Sequence, residues 1–204
     1  MRAKSNFLIR KVHSLLGIIP VGIFLIVHLS INSTVFFGGY ANYQFTIHGM
    51  KSIPLIVVAE LLIIAIPILF HAVYGLWIVF VAKNNVLEFN YLRNWAFYLQ
   101  RITAVITLIF VVVHVYTLRF MQHEPAAIID TLVAHLHHPV YFVLYGIGVL
   151  SAIFHFANGL FTFLISWGIA IGDKAQAFFF KLSAVVFVAL GVLGISILTV
   201  IARF

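Results

Sequence analysis

The sequence predicts an all-α integral membrane protein built as a five-transmembrane-helix bundle, and three observations carry that expectation. Of 204 residues, 64% are hydrophobic and 8% charged, where an ordinary soluble domain carries about 25% charged residues. Mean hydropathy is +1.15. Apolar runs recur five times, each matching the roughly 20 residues that a spanning helix needs. The chain has no cysteine, which excludes disulfides, a cysteine-ligated iron–sulfur cluster and covalent C-x-x-C-H haem attachment.

The five predicted spans are Val12 to Phe37, Ile53 to Ala82, Trp95 to Phe120, Pro139 to Ile171 and Phe178 to Ala202. They leave short loops, so residues 1–204 are expected to form a single transmembrane domain. The first run follows MRAKSNFLIRK, a basic start that resembles a signal peptide, but it is too long and lacks a small-x-small cleavage site. It is therefore the first span. Pro20 and Pro67 fall inside spans one and two, where a missing N–H and a ring clash should bend the axis.

Basic residues predict the orientation. With a cytoplasmic N-terminus, Arg2, Lys4, Arg10, Lys11, Lys83, Arg93, Arg101, Lys174 and Lys181 lie inside, against Lys51, Arg119 and Arg203 outside. This satisfies the positive-inside rule. The net charge of +7 is then largely a topology signal, with a basic inner face suited to a partner or anionic lipid. No basic-and-aromatic pattern argues for nucleic acid.

Four histidines, His28, His71, His114 and His155, lie deep in four different spans. An ionisable residue inside a membrane is costly and marks function by default. His28 lies 16 residues beyond Val12 and His114 lies 19 beyond Trp95; at about 1.5 Å per residue both belong in the outer half. His71 lies 11 residues before Ala82 and His155 lies 16 before Ile171, or nearer the inner surface if that span stops at Trp167. Parallel helices thus pair His28 with His114 and His71 with His155. Two pairs at two depths are expected to be the axial ligands of two haems, outer and inner. Local sequence agrees: spans two and four share F-H-x-x-x-G at Phe70-His71 to Gly75 and at Phe154-His155 to Gly159, while Phe24 and Phe110 precede His28 and His114 by four residues. Gly75 and Gly159, one turn along the same face, are expected to clear space for a flat macrocycle. The competing reading makes each histidine a hydrogen-bonded packing residue or a transporter's proton relay.

Other residues carry weaker expectations. His13 and Ser14, with Arg93 and Arg101, stand at the inner mouth, placed either to hold haem propionates or to anchor the interface. His48, His123, His135, His137 and His138 fall in predicted outer loops, and the His135–His138 cluster has no acidic or cysteine complement for a metal. Glu60 is the one carboxylate within an apolar run, 11 residues outward of His71, or about 16 Å. In apolar surroundings its charged form is disfavoured, which suits either quinone-linked proton transfer or a structural hydrogen bond.

Four segments carry a family resemblance. HSLLGIIPVGIFLIVHL, IPILFHAVYGLWIVFVAKNN, YLRNWAFYLQRITAVITLIFVVVHVY and FHFANGLFTFLISWGI resemble the diheme cytochrome b anchor subunits of bacterial succinate:menaquinone oxidoreductases and their fumarate reductase relatives. The outer loops, Gly38 to Ser52 and Met121 to His138, match least.

The resemblance implies a multi-pass subunit of the bacterial cytoplasmic membrane with two b haems. It also implies a flavoprotein subunit where succinate and fumarate interconvert, an iron–sulfur subunit on the basic face, and an oligomeric state of the complex left open. Electrons would run from the iron–sulfur subunit through the inner haem to the outer haem and menaquinone, or in reverse for fumarate reduction. This chain would hold no dicarboxylate site. A cytochrome b of another quinone-linked dehydrogenase, a haem-free proton-coupled membrane protein and a purely structural anchor remain as alternatives. Outward electron transfer across a membrane negative inside gains about 2.3 kcal/mol per charge per 100 mV, which would assist a weak reductant.

Overall fold

The computed structural model describes residues 2–122 and 124–204, so His123 lies outside the described residues. Among the described residues there are helices and no strand, and five apolar helices are long enough to cross a membrane.

The first span, Asn6–Phe37, comprises α1 (Arg2–Ile18), α2 (Pro20–Asn32) and a 3₁₀ turn, Ser33–Phe37. The helix is interrupted at Ile19, as Pro20 cannot donate to Leu16. Next, α3 (Gly39–Lys51) occupies a segment expected to be loop. The second span enters through α4 (Ile56–Ala59), widens into a π-helix at Glu60–Ala65 and continues as α5 (Ile66–Val81). Pro67 follows that widening directly. Its ring crowds the Ile63 carbonyl and supplies no N–H to it, and the chain absorbs this by looser i→i+5 bonding.

The third span is α6 (Leu92–Val115) with a terminal π turn, Tyr116–Phe120. A second helix in a predicted loop, α7 (Pro125–His137), precedes the fourth span, α8 (Pro139–Ser166), and the fifth, α9 (Gly172–Ile201). The fourth span ends at Ser166 rather than Ile171 because Trp167–Ala170 turns back on α8, with the Ile169 and Ala170 amides both donating to Leu164.

Many large side chains of the bundle point outward, among them Leu69 at 65% and Phe80 at 83% exposure, as lipid-facing residues should. With lipid as apolar as leucine, helices associate through close packing of small residues. A methyl group at Gly194 of α9 would come 2.8 Å from Val149 of α8, and one at Gly148 of α8 would collide with Phe110 of α6. The best buried cluster, containing Leu29, Ile129, Ile153, Ile197 and Ile201, lies where α2, α7, α8 and α9 meet.

The two ends of the bundle differ. At the basic end Lys11 bonds the Ser166 carbonyl, Trp167 Nε1 donates to Ser14 at 3.0 Å and Arg93 donates to Gln176 at 2.9 Å. At the distal end α3 and α7 form a cap, joined by Tyr40 Oη to Asp130 at 2.7 Å. The Asp130 carboxylate raises the Tyr40 phenol above its ordinary value.

Candidate functional site: two histidine pairs

The four histidines converge in the pairs that depth predicted. The His71 and His155 ring centroids are 6.0 Å apart with planes at 85°, and those of His28 and His114 are 5.9 Å apart at 89°. His71 lies ten residues before Val81 and His155 eleven before Ser166, so the corrected end of α8 brings this pair to one level near the basic end. Metal–imidazole bonds run about 2.0–2.1 Å, so either pair has room to hold a metal ion between its rings.

The basic-end pair is held in place by main-chain acceptors. His71 Nδ1 lies 2.9 Å from the His13 carbonyl and His155 Nδ1 lies 3.1 Å from the Gln100 carbonyl. A carbonyl only accepts, so both Nδ1 atoms carry the proton and both Nε2 atoms keep a free lone pair. This is the ordinary arrangement of a metal-ligating histidine. Gln100 donates to the His155 carbonyl at 2.9 Å, and buried Asn158 donates to Gln100 Oε1 at 2.8 Å. His13 stacks on His71 with centroids 4.1 Å apart.

The distal pair is set differently. Phe24 and Phe110 pack against His28 and His114, each at 5.4 Å. Tyr145 lies 6.0 Å from His114 and 6.3 Å from His135. Asn32 donates to the His28 carbonyl at 2.7 Å and accepts from Tyr43 of the cap. Burial pushes the Tyr43 phenol up, which keeps it a neutral donor.

Buried polar atoms lacking a partner collect around the pairs. His13 Nε2 and Tyr74 Oη lie beside the basic-end pair, whereas His114 Nδ1 and His135 Nδ1 lie at the distal pair. Buried polar groups are normally satisfied. Orphans at these places fit a group with polar substituents bound between the helices.

A methyl group would come 3.3 Å from His13 Nε2 at Gly75 and 3.4 Å from Gln100 Nε2 at Gly159. The glycine lying against a ligand ring is Gly17, where a methyl group would collide with His71. Of the residues expected at the mouth, Ser14, Arg93 and Arg101 are each engaged by a neighbour. Ser14 accepts from Trp167, Arg93 pairs with Gln176 over the Phe161 ring, and buried Arg101 bonds Asn84 and stacks on Phe97. Glu60 does not stand alone in apolar surroundings: its Oε2 accepts from Arg119 Nη2 at 2.8 Å and Nε at 3.1 Å. Both partners sit in π-helical segments.

His48 and His137 are exposed, while His135 stacks on Tyr141 and His138 packs against the same ring. Among the described residues no group of three metal-ligating side chains converges. Sequence reasoning missed Gln100, Asn158, Tyr145 and the Glu60–Arg119 pairing. Asn158 and Gln100 carried a signal, being amides inside apolar spans, where a polar residue needs a partner.

Comparison with known proteins agrees with this architecture. A succinate dehydrogenase cytochrome b558 subunit of Bacillus subtilis (strain 168) is 43% identical over 196 residues, 96% of each chain. Residues 85–201 match the family described as the succinate dehydrogenase/fumarate reductase transmembrane subunit. With five apolar helices around paired histidines, and a relative aligned along nearly its whole length, the chain belongs to the family of succinate dehydrogenase/fumarate reductase transmembrane subunits.

Proposed function

We propose that this membrane anchor binds two b haems and conveys electrons between an iron–sulfur subunit at its basic end and menaquinone near its distal end. A flavoprotein subunit completes the complex, and the basic end faces the cytoplasm of a bacterium. The observation that carries this reading is the pair of imidazole separations, 6.0 and 5.9 Å. When bound, bis-histidine haem supplies a one-electron carrier with no open iron position.

The chain's own residues do the rest. His71 and His155 hold the inner site and His28 and His114 the outer site. His13 stands where an anionic propionate at the inner site would meet its free Nε2. Ser14, Arg93 and Arg101 line the surrounding mouth through the contacts described above. The basic face offers Lys83, Arg93 and Lys174 to an acidic docking surface, and charges of this kind mainly set association rate and specificity. Glu60 lies in the distal half, where its carboxylate holds a proton route to reduced quinone, with Arg119 fixing its position.

The test is haem stoichiometry and redox titration of the purified complex. Wild type is expected to contain two b haems per chain, visible in a reduced-minus-oxidised spectrum. His71→Ala and His155→Ala should each remove or perturb the same component, and His28→Ala and His114→Ala the other. Full stoichiometry with unchanged potentials in all four variants would overturn the ligand assignment, and a shared loss in His71→Ala and His114→Ala would overturn the pairing.

A further inference from the structure

In both F-H-x-x-x-G segments the histidine Nδ1 meets a main-chain carbonyl of the neighbouring helix. In the second span, Gly75 lies one turn after His71, and a methyl group there would come 3.3 Å from His13 Nε2. The carbonyl of that same His13 accepts the His71 Nδ1 proton at 2.9 Å. In the fourth span, Gly159 lies one turn after His155, and a methyl group there would come 3.4 Å from Gln100 Nε2. The carbonyl of that same Gln100 accepts the His155 Nδ1 proton at 3.1 Å. At Gly75 the fit is tight, whereas at Gly159 a methyl group would make only an ordinary contact, so Gly75 is the notch. A polar residue of the neighbouring helix settles into it, and seating that residue brings its main-chain oxygen to the histidine.

We propose that Gly75 with His13, and Gln100 with Asn158, are positioning residues that fix the tautomer and ring plane of the two inner histidines. The proposal rests on the assignment of His71 and His155 as inner haem ligands. An Nδ1–H held by a carbonyl leaves Nε2 as the only ligating nitrogen and raises its basicity. It also sets the ring plane, here 85° between the two rings.

The fourth span is anchored most firmly. Gln100 Nε2 donates to the His155 carbonyl at 2.9 Å, while Asn158 Nδ2 reaches both Gln100 Oε1 at 2.8 Å and the Ala96 carbonyl at 3.3 Å. The Gln100 side chain and main chain are thus locked to α8 on both sides of the histidine.

The distal pair serves as the internal contrast. Four residues beyond His28 and His114 stand Asn32 and Leu118, not glycine, and His114 Nδ1 has no partner. The notch belongs to the inner pair, and that is the pair whose flanking sequence contains it.

The test uses the whole complex and reads haem content, the low-spin ferric signals in electron paramagnetic resonance, and both midpoint potentials. The position of such a signal depends on the angle between the two imidazole planes. Gly75→Ala presses on His13, and Gln100→Met keeps the length of that side chain while removing its amide. Each is expected to retain two haems and to move one signal and one midpoint, those of the component lost in His155→Ala, by up to about tenfold in the reduction equilibrium, about 59 mV for one electron. Gly49→Ala, at a position with nothing within 4 Å, should move neither.

Unmoved signals and midpoints in both variants at full haem content would overturn the proposal. Equal displacement of both haems, or failure of both variants to assemble, would also overturn it, since either result marks general packing. If His155→Ala itself kept two unaltered haems, the ligand assignment would fall instead.

Discussion

Glu60 and Arg119 come from spans that run in opposite directions, and only the fold brings them within 2.8 Å. Each side chain is 41% exposed, so the pair is open on one side. Its value lies in placing a carboxylate. Glu60→Gln keeps the shape and a hydrogen bond but cannot ionise, so it should slow menaquinone reduction several-fold or more. Both haems and succinate oxidation with an artificial acceptor should stay intact. Arg119→Gln leaves Glu60 unanchored and should slow the same step to a lesser degree. Quinone reductase turnover at the wild-type rate in fully assembled Glu60→Gln would remove the carboxylate from the reaction. In the sequence Glu60 stands out as the acid within an apolar run, whereas Arg119 is one more charge expected on the outer side.

At the scale of elements, the π segment Glu60–Ala65 decides where Glu60 points. A π turn holds one residue more than the α turn it replaces. Closing it would rotate everything on its N-terminal side by about 100°, one residue of a 3.6-residue turn. Pro67→Ala restores the missing N–H and removes the ring clash, so it should tighten this segment and turn Glu60 away from Arg119. The expected result resembles Glu60→Gln, with slower quinone reduction and both haems present, because His71 lies beyond the proline on the unrotated side. Wild-type turnover in Pro67→Ala would show that the π segment is held by something other than Pro67. Helices α3 and α7 teach a related lesson. Both fall in segments expected to be loops, yet Ile129, Leu132 and Leu136 are buried along one face of α7, a spacing of three and four residues that marks an amphipathic helix.

For the molecule as a whole, the distribution of charge predicts which end faces the cytoplasm, and the lack of cysteine makes that easy to check. Leu87, 92% exposed between the second and third spans, and Gly49, in open space on the cap, lie at opposite ends. Leu87→Cys should react with a membrane-impermeant maleimide only in inside-out vesicles, and Gly49→Cys only in intact right-side-out cells. The reverse pattern would invert the bundle and move the proposed partner face outside.

The membrane class and the presence of five spans were legible in the sequence, as was the approach of His28 to His114 and of His71 to His155. These follow from composition, from run length and from depth along helices of fixed rise, all of which are local or additive quantities. The sequence could not determine the ends of the spans to a turn, because Trp167–Ala170 is apolar enough to continue a helix and stops only by folding back on Leu164. Nor could it determine which neighbour fills the glycine notch, which amides orient His155, or which cation meets Glu60. Those depend on how one helix is rotated against another. Rotation is settled by the packing of side chains from residues 55 or more positions apart, such as Gln100 with His155 and Glu60 with Arg119, and only the tertiary structure brings them together.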